Sequence, residues 1–135
     1  MDAAQNKQLM QKIFDELALG NSRPLVESMA EDFNWTVTGS NRWSGTYKGK
    51  QAVLEQLLAA LRARIEGRVK TIAHRFIAEG DFVVVEARGD NTTKTGTPYN
   101  NSYCFVVRLA DGKLREITEY MDTEMVSSVL GERVA

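Results

Sequence analysis

The sequence predicts an α+β domain in which N-terminal helices cover one face of a cone-like, curved antiparallel sheet. Helical spacing of apolar residues dominates the first half of the chain, and four long segments without that spacing fill the second half. Short turn signals separate these segments, and connections so short make neighbouring strands antiparallel. Helices followed by a strand meander are typical of an α+β fold.

Four segments have the helical spacing, and each is opened by a capping side chain or followed by a glycine. The segment at residues 53–65 has the strongest apolar stripe. In chain order, the predicted helices are residues 9–17 before Gly20, a short helix opened by Ser22 with Pro24 in its first turn, residues 53–65 before Gly67, and a terminal helix opened by Asp122 or Thr123 and stopped at Gly131.

Five segments are predicted as strands because they are β-prone and lack helical spacing. The sequence Asp111-Gly112 between the last two is a strong hairpin signal, since both residues tolerate positive φ. The predicted strands are residues 33–38, 68–79, 82–94, 99–110 and 113–121.

Composition limits the functional class. The 135 residues suit a single domain spanning 1–135, and 17 basic against 18 acidic side chains give a net charge of -1. We therefore expect no nucleic-acid partner and no membrane partner. Arginines cluster near Arg62 and Arg68, where cations suit the end of a helix. One histidine and one cysteine, Cys104, favour neither a conventional zinc site nor a disulfide, so we expect no metal, no cofactor and a cytoplasmic location.

The strand beginning at Phe82 is apolar on both sides. We expect Phe82 and Val84 to face inward together with the charged residues that follow them. Val83 and Val85 then face outward, with no element left to cover them. An uncovered apolar sheet face predicts a homodimer through the outer face.

The order of elements resembles the nuclear-transport-factor-2-like superfamily, and two stretches carry the resemblance. Residues 45–53, Gly-Thr-Tyr-Lys-Gly-Lys-Gln-Ala-Val, resemble that family's lead into its third helix. Residues 111–122, beginning Asp-Gly-Lys and ending Glu-Tyr-Met-Asp, resemble its final strand. The chain is most similar to the SnoaL-like and ketosteroid-isomerase-related branch, which implies a sheet wrapped around helices with a pocket between them. These motifs are mostly structural, so they say little about the reaction.

The inward face that the resemblance implies predicts an apolar pocket with a few polar groups. Strand alternation supplies its sheet side, and the helices and first strand supply its walls. Tyr99 shares the inward face with its neighbours at 101 and 103. The predicted ligand-binding residues are Phe14, Met29, Phe33, Trp35, Tyr47, Leu58, Asp90, Asn101, Tyr103, Phe105, Ile117 and Met121.

Glu119, Glu86, Arg88 and His74 form the predicted acid/base set of this pocket. An apolar cavity disfavours the charged form of a carboxyl and raises its pKa, whereas a nearby guanidinium opposes the change. Glu119 would then act as general base or acid, with Arg88 or His74 polarising a ligand oxygen. Two structural alternatives remain: the charged residues form a buried ion network, and His74 is packed in the core. Asp122 is either a helix cap or a site residue.

Comparison with the catalytic residues of family members limits the reactions that this chain is expected to catalyse. Related limonene-epoxide hydrolases use Arg-x-Asp on the second long strand and Asp on the last, where this chain has Glu86-x-Arg88 and Glu119. The Asp base and Tyr donor of ketosteroid isomerases have no counterparts here. SnoaL-like polyketide cyclases need a pocket carboxylate or histidine, which Glu119 or His74 supplies. We therefore expect an isomerase, cyclase or hydrolase acting on a hydrophobic oxygenated small molecule. The alternatives are a non-catalytic binding module and a dimeric protein-interaction domain.

Overall fold

Helices occupy the first half of the chain and its end, as the sequence predicts. A computed structural model of the chain describes residues 1–131. Helix α1 spans Ala3–Leu17 and α2 spans Arg23–Ser28. A third helix covers residues 50–62, with Val53–Leu58 wound as a π-helix. The C-terminal helix covers residues 123–130, with Val126–Leu130 as its π-helical part.

The helix boundaries follow the capping signals with two exceptions. Gly20 has φ 82° after α1, and the Asp122 carboxylate accepts a hydrogen bond from the Met125 backbone N–H at 3.1 Å. Ser22 occupies the cap position of α2 without a side-chain hydrogen bond, so its predicted capping role is wrong. The third helix ends before Ile65, which is fully buried and forms an isolated β-bridge with Thr93.

Six strands form one curved, unclosed sheet of order β2-β1-β6-β5-β4-β3. The meander from β3 to β6 is antiparallel throughout, as predicted, and Asp111 and Gly112 both have positive φ in its last hairpin. β1 instead runs parallel to β6, which makes the sheet mixed. The strands are β1 (Met29–Val37), β2 (Gly45–Lys48), β3 (Thr71–Glu79), β4 (Phe82–Gly89), β5 (Ser102–Ala110) and β6 (Lys113–Met121).

The side of the sheet that β4 presents to the helices is opposite to the prediction. Val83, Val85 and Ala87 are buried in the core, because Val85 pairs with the inward Phe105 of β5. Glu86 pairs with Cys104 on the outer face, and Arg88 and Asp90 are exposed. Both faces of β4 begin with apolar residues, so alternation alone does not fix its orientation; the hairpin register does.

A β-bulge removes His74 from the inward face of β3. The register shifts between Ala73 and Arg75, which leaves His74 as the extra, exposed residue. Phe76 packs edge-on against Phe14, with ring centroids 5.9 Å apart. His74 therefore lies neither in the pocket nor in the core, the two places that the sequence analysis considers for it.

The outer face of the sheet carries a different apolar set from the one expected. Val83 and Val85 lie in the core, so they leave no uncovered apolar surface. The large outward apolar side chains are Ile77 (54% exposed), Phe82 (43%) and Tyr120 (50%). Within residues 1–131, no helix combines the length and apolar character needed to cross a membrane.

Candidate functional site

A cavity of about 260 Å³ lies between the concave face of the sheet and the helices. Its volume is near the lower end of the range for small-molecule sites. Its walls are aromatic and aliphatic. The predicted site residues that line it are Phe14, Trp35, Leu58, Tyr103, Phe105, Ile117, Glu119 and Met121.

Glu119 is the acidic side chain of this cavity. Alternation along β6 turns Glu119 inward with Ile117 and Met121, and the parallel pairing of β1 brings Trp35 beside it. The indole Nε1–H of Trp35 donates a hydrogen bond of 2.8 Å to Oε1 of Glu119. Oε2 has no hydrogen-bond partner among residues 1–131 and is not sealed by packing, so it is the atom open to a ligand.

The environment of Glu119 favours its protonated form. Burial among apolar side chains raises the pKa of this carboxyl to about 7, and the hydrogen bond from Trp35 opposes the rise. Both protonation states are therefore populated near neutral pH. A group in this condition can accept and release protons in turn, as general acid/base catalysis requires.

Two tyrosines line the cavity near this carboxyl. Burial raises the pKa of Tyr99 and raises that of Tyr103 well above the ordinary value, and the charge of Glu119 adds to both effects. Both hydroxyls thus stay protonated at neutral pH. The Tyr103 ring stacks on Phe105 with centroids 5.2 Å apart, which fixes its position. The cavity therefore holds two fixed O–H groups beside one titratable carboxyl.

Asn101 is a structural residue outside the cavity lining, contrary to its predicted place in the ligand-binding set. It is fully buried, its Nδ2 donates to the Tyr99 hydroxyl and the Asp122 carbonyl, and its Oδ1 accepts from the Ser102 and Asp122 backbone N–H groups. These four bonds satisfy the amide and join β5 to the end of β6. Asp122 itself is a helix cap.

Three further predicted ligand-binding residues belong to the core outside the cavity. Met29 and Phe33 are buried, and neither lines the cavity. The Tyr47 hydroxyl donates a 2.8 Å hydrogen bond to the Trp43 carbonyl, which holds the connection before the third helix. Their predicted contact with a ligand is not supported by this geometry.

The remaining members of the predicted acid/base set do not reach the cavity. Glu86 forms an ion pair of 2.9 Å with Arg75 on the outer face. Arg88, Asp90 and the bulged His74 are exposed and do not line the cavity. The predicted buried ion network of Glu86, Arg88 and Glu119 is absent for the same reason.

The structure adds lining residues that the sequence did not indicate. Trp43 forms one wall with Val126 and Leu130 of the C-terminal helix. The Trp43 indole donates to the Gly131 carbonyl at 2.8 Å, and Arg64 donates to the Leu130 carbonyl at 3.2 Å. Both π-helical segments supply lining side chains, a placement common for π-bulges at functional sites.

The opening of the cavity carries two arginines, Arg62 and Arg68. The exposed lining residues are these two with Ser22 and Gly67. The sequence placed both arginines at a helix end, but nothing in it showed that the chain turns back over the cavity at that point. Within the part of the chain described, no three His, Cys, Asp or Glu side chains are grouped to hold a metal ion.

Known structures share this architecture at low sequence identity. An NTF2-like protein from Burkholderia xenovorans LB400 is 24% identical, with 96% of this chain and 98% of that chain covered and a TM-score of 0.73. A candidate SnoaL-like polyketide cyclase from Jannaschia sp. CCS1 is 18% identical, with 96% and 93% covered and a TM-score of 0.76. TerC, co-crystallised with polyporic acid, is 20% identical, with 93% and 97% covered and a TM-score of 0.76.

Comparison with protein families gives a more specific result than these structures do. No curated protein matches the sequence significantly. The family model of the SnoaL-like domain matches residues 10–117, a span that begins within α1 and ends within β6. The chain therefore belongs to the SnoaL-like domain family of the NTF2-like superfamily.

Proposed function

We propose that this protein is an acid/base enzyme, independent of any cofactor, that acts on a hydrophobic oxygenated small molecule. One observation carries the proposal: Glu119 presents a free carboxylate oxygen to an apolar cavity, and its pKa is about 7. Buried carboxyls tuned towards neutral pH are common at catalytic sites. Isomerisation, cyclisation and hydration all need a proton moved at such a position.

The hydrogen-bond pattern gives Glu119 and Tyr99 separate roles. The amide Nδ2 of Asn101 can only donate, so the Tyr99 oxygen accepts in their 3.1 Å bond. The Tyr99 and Tyr103 hydroxyls also interact with each other, so one proton of this pair is left to donate to an oxygen of the ligand. Glu119 would take a proton from the ligand while this hydroxyl pair stabilises the negative charge that develops on the ligand oxygen. Trp35 fixes one carboxylate oxygen and leaves the other to react.

The neighbouring structures support a small-molecule role. One is called a candidate polyketide cyclase and another was co-crystallised with polyporic acid. The open cavity favours an enzyme or a binding module over a protein-interaction domain, because a domain of that third kind needs no space for a ligand.

Turnover by wild type and the Glu119→Gln variant tests the proposal. The assay screens hydrophobic ketones, epoxides and polyketide-like phenols for conversion. Glutamine keeps the shape and the Trp35 hydrogen bond but cannot transfer a proton, so we expect a rate loss of about a hundredfold or more with ligand binding retained. Unchanged turnover would remove Glu119 from the mechanism, and ligand stabilisation of wild type without product would favour a binding module.

The assembly and location of the protein extend the proposal. We expect a homodimer through the outer sheet face, supported by the exposed Ile77, Phe82 and Tyr120. We also expect a reducing, cytoplasmic setting, which suits the unpaired Cys104. Sedimentation showing a monomer at micromolar concentration would contradict the dimer.

A further inference from the structure

The opening of the cavity concentrates positive charge without protein anions to neutralise it. Arg62 ends the third helix and Arg68 lies in the segment before β3, and both line the opening with exposed side chains. Among residues 1–131, neither side chain has an ion pair within 4.0 Å or a side-chain hydrogen bond. Glu66 lies between them in sequence but does not line the cavity. Two guanidinium groups therefore face the approach of a ligand.

The turn after α1 positions Arg68. Gly20 has φ 82°, and a Cβ added there would stand 2.6 Å from Cβ and 3.1 Å from Cδ of Arg68. The aliphatic stem of Arg68 thus packs directly on the backbone of this turn, where only glycine leaves room for it. Because the stem is held, less side-chain freedom is lost when the guanidinium binds an anion.

The interior of the cavity has the opposite character. Its walls are apolar, and Glu119 is the acidic side chain among the described lining residues. A neutral ligand would gain less than an anionic one from two guanidinium groups at the entrance. An apolar body with an anionic end would satisfy both regions at once.

We propose that the cavity takes an amphiphilic carboxylate, with its apolar body among the aromatic walls and its carboxylate held by Arg62 and Arg68. This inference deepens the proposed function, since it rests on the same cavity and names the class of molecule placed beside Glu119. The planar guanidinium fork of arginine matches a carboxylate in paired hydrogen bonds. A cavity of about 260 Å³ selects a short or monocyclic apolar body over a long chain.

Binding of a matched pair of probes tests the inference: 4-phenylbutyrate and the uncharged 4-phenylbutanamide. Both tryptophans of the chain, Trp35 and Trp43, line the cavity, so intrinsic fluorescence reports occupancy directly. We expect the carboxylate to bind about tenfold more tightly than the amide. Added salt should weaken binding of the carboxylate and leave that of the amide unchanged.

Variants separate the anion site from the rest of the cavity. In the double variant Arg62→Ala/Arg68→Ala the affinities of the two probes should become equal, while the chain still unfolds in one cooperative thermal transition. Arg108→Ala, on the outer face, is the matched control and should keep the tenfold ratio. Arg62→Lys and Arg68→Lys should keep part of it, since the charge remains without the fork.

Each contrary outcome has a distinct meaning. Equal affinities in wild type, no binding of either probe, or a ratio that survives the double variant would overturn the anion site. Glu119→Gln separates the two proposals, because it should keep a carboxylate-to-amide ratio above one whatever its turnover. If Glu119→Gln still binds the carboxylate more tightly than the amide but turns over substrate at the wild-type rate, only the proposed function is overturned. If this variant loses both turnover and the preference for the carboxylate, only the inference of the anion site is overturned.

Discussion

Replacing Glu119 with glutamine tests the burial of this carboxyl without any substrate. The pKa of Glu119 is about 7 in the folded chain, against 4.5 for the free group. Between these values the folded chain binds more protons than the unfolded chain, so stability falls as pH rises. The stability that protonated Glu119 contributes to the folded state is fully present below about pH 4.5 and is lost by about pH 7. At 1.36 kcal/mol per pKa unit, the difference corresponds to about 3 kcal/mol.

The glutamine variant does not titrate, so it should escape this loss. We expect its free energy of unfolding, relative to wild type, to rise by up to about 3 kcal/mol between about pH 5 and about pH 8. The value is an upper one, because part of the side chain stays accessible from the cavity and solvent screens its charge. Urea unfolding followed by tryptophan fluorescence at several pH values measures the change.

Glu116→Gln provides the matched control for this experiment. Glu116 lies on the same strand as Glu119 but on the outer face, where it pairs with Arg108 at 3.1 Å. Its substitution should produce a difference from wild type of less than about 1 kcal/mol at every pH. A pH-independent difference between Glu119→Gln and wild type would refute the burial of this carboxyl.

The structure makes three further predictions. Trp35→Phe removes the N–H donor that lowers the pKa of Glu119. The midpoint of the pH dependence of stability should therefore move upward by about one to two pH units. An unmoved midpoint would mean that the hydrogen bond between Trp35 and Glu119 is not made in solution. Asn101→Ala removes a fully buried amide and its four hydrogen bonds to the Tyr99 hydroxyl and to the Ser102 and Asp122 backbone groups, so it should lower the free energy of urea unfolding by about 3 kcal/mol. A loss below about 1 kcal/mol would contradict the network. Glu86→Gln and Arg88→Ala, on the outer face, should each change the free energy of unfolding by less than about 0.5 kcal/mol and leave the affinity for 4-phenylbutyrate unchanged. A large loss of this affinity would show that these residues belong to the ligand site.

Local sequence signals were sufficient where a single face of an element is apolar. Ile117 and Met121 flank Glu119 at two-residue spacing in β6, so strand alternation turns all three side chains to the same face. A register shift between Arg108 and Leu109 separates this stretch from the Asp111-Gly112 turn, so the turn alone does not set its pairing with β5. The orientation of Glu119 and Tyr103 was therefore predictable from the sequence. The same holds for α1 and the third helix, whose buried apolar side chains pack against the sheet.

The sequence was insufficient where orientation depends on a distant partner. β4 has four consecutive apolar residues at 82–85, so only pairing with β5 shows which of them are buried. The bulge at His74 has no signature in the sequence. Arg62 and Arg68 reach the cavity through the path of the chain between the third helix and β3. Residues 45–48 form β2, although their sequence resembles a lead into the third helix and gives no separate strand signal.

The parallel pairing of β1 with β6 determines when the site can exist. The hydrogen bond between Trp35 and Glu119 joins residues 84 positions apart, and contacts of such long range form late and slowly. During synthesis the indole leaves the ribosome long before its carboxyl partner does. A nascent chain therefore holds both halves of this pair only after residue 119 has been translated, and docking of β1 onto β6 assembles the proton-transfer group and completes the sheet in one event.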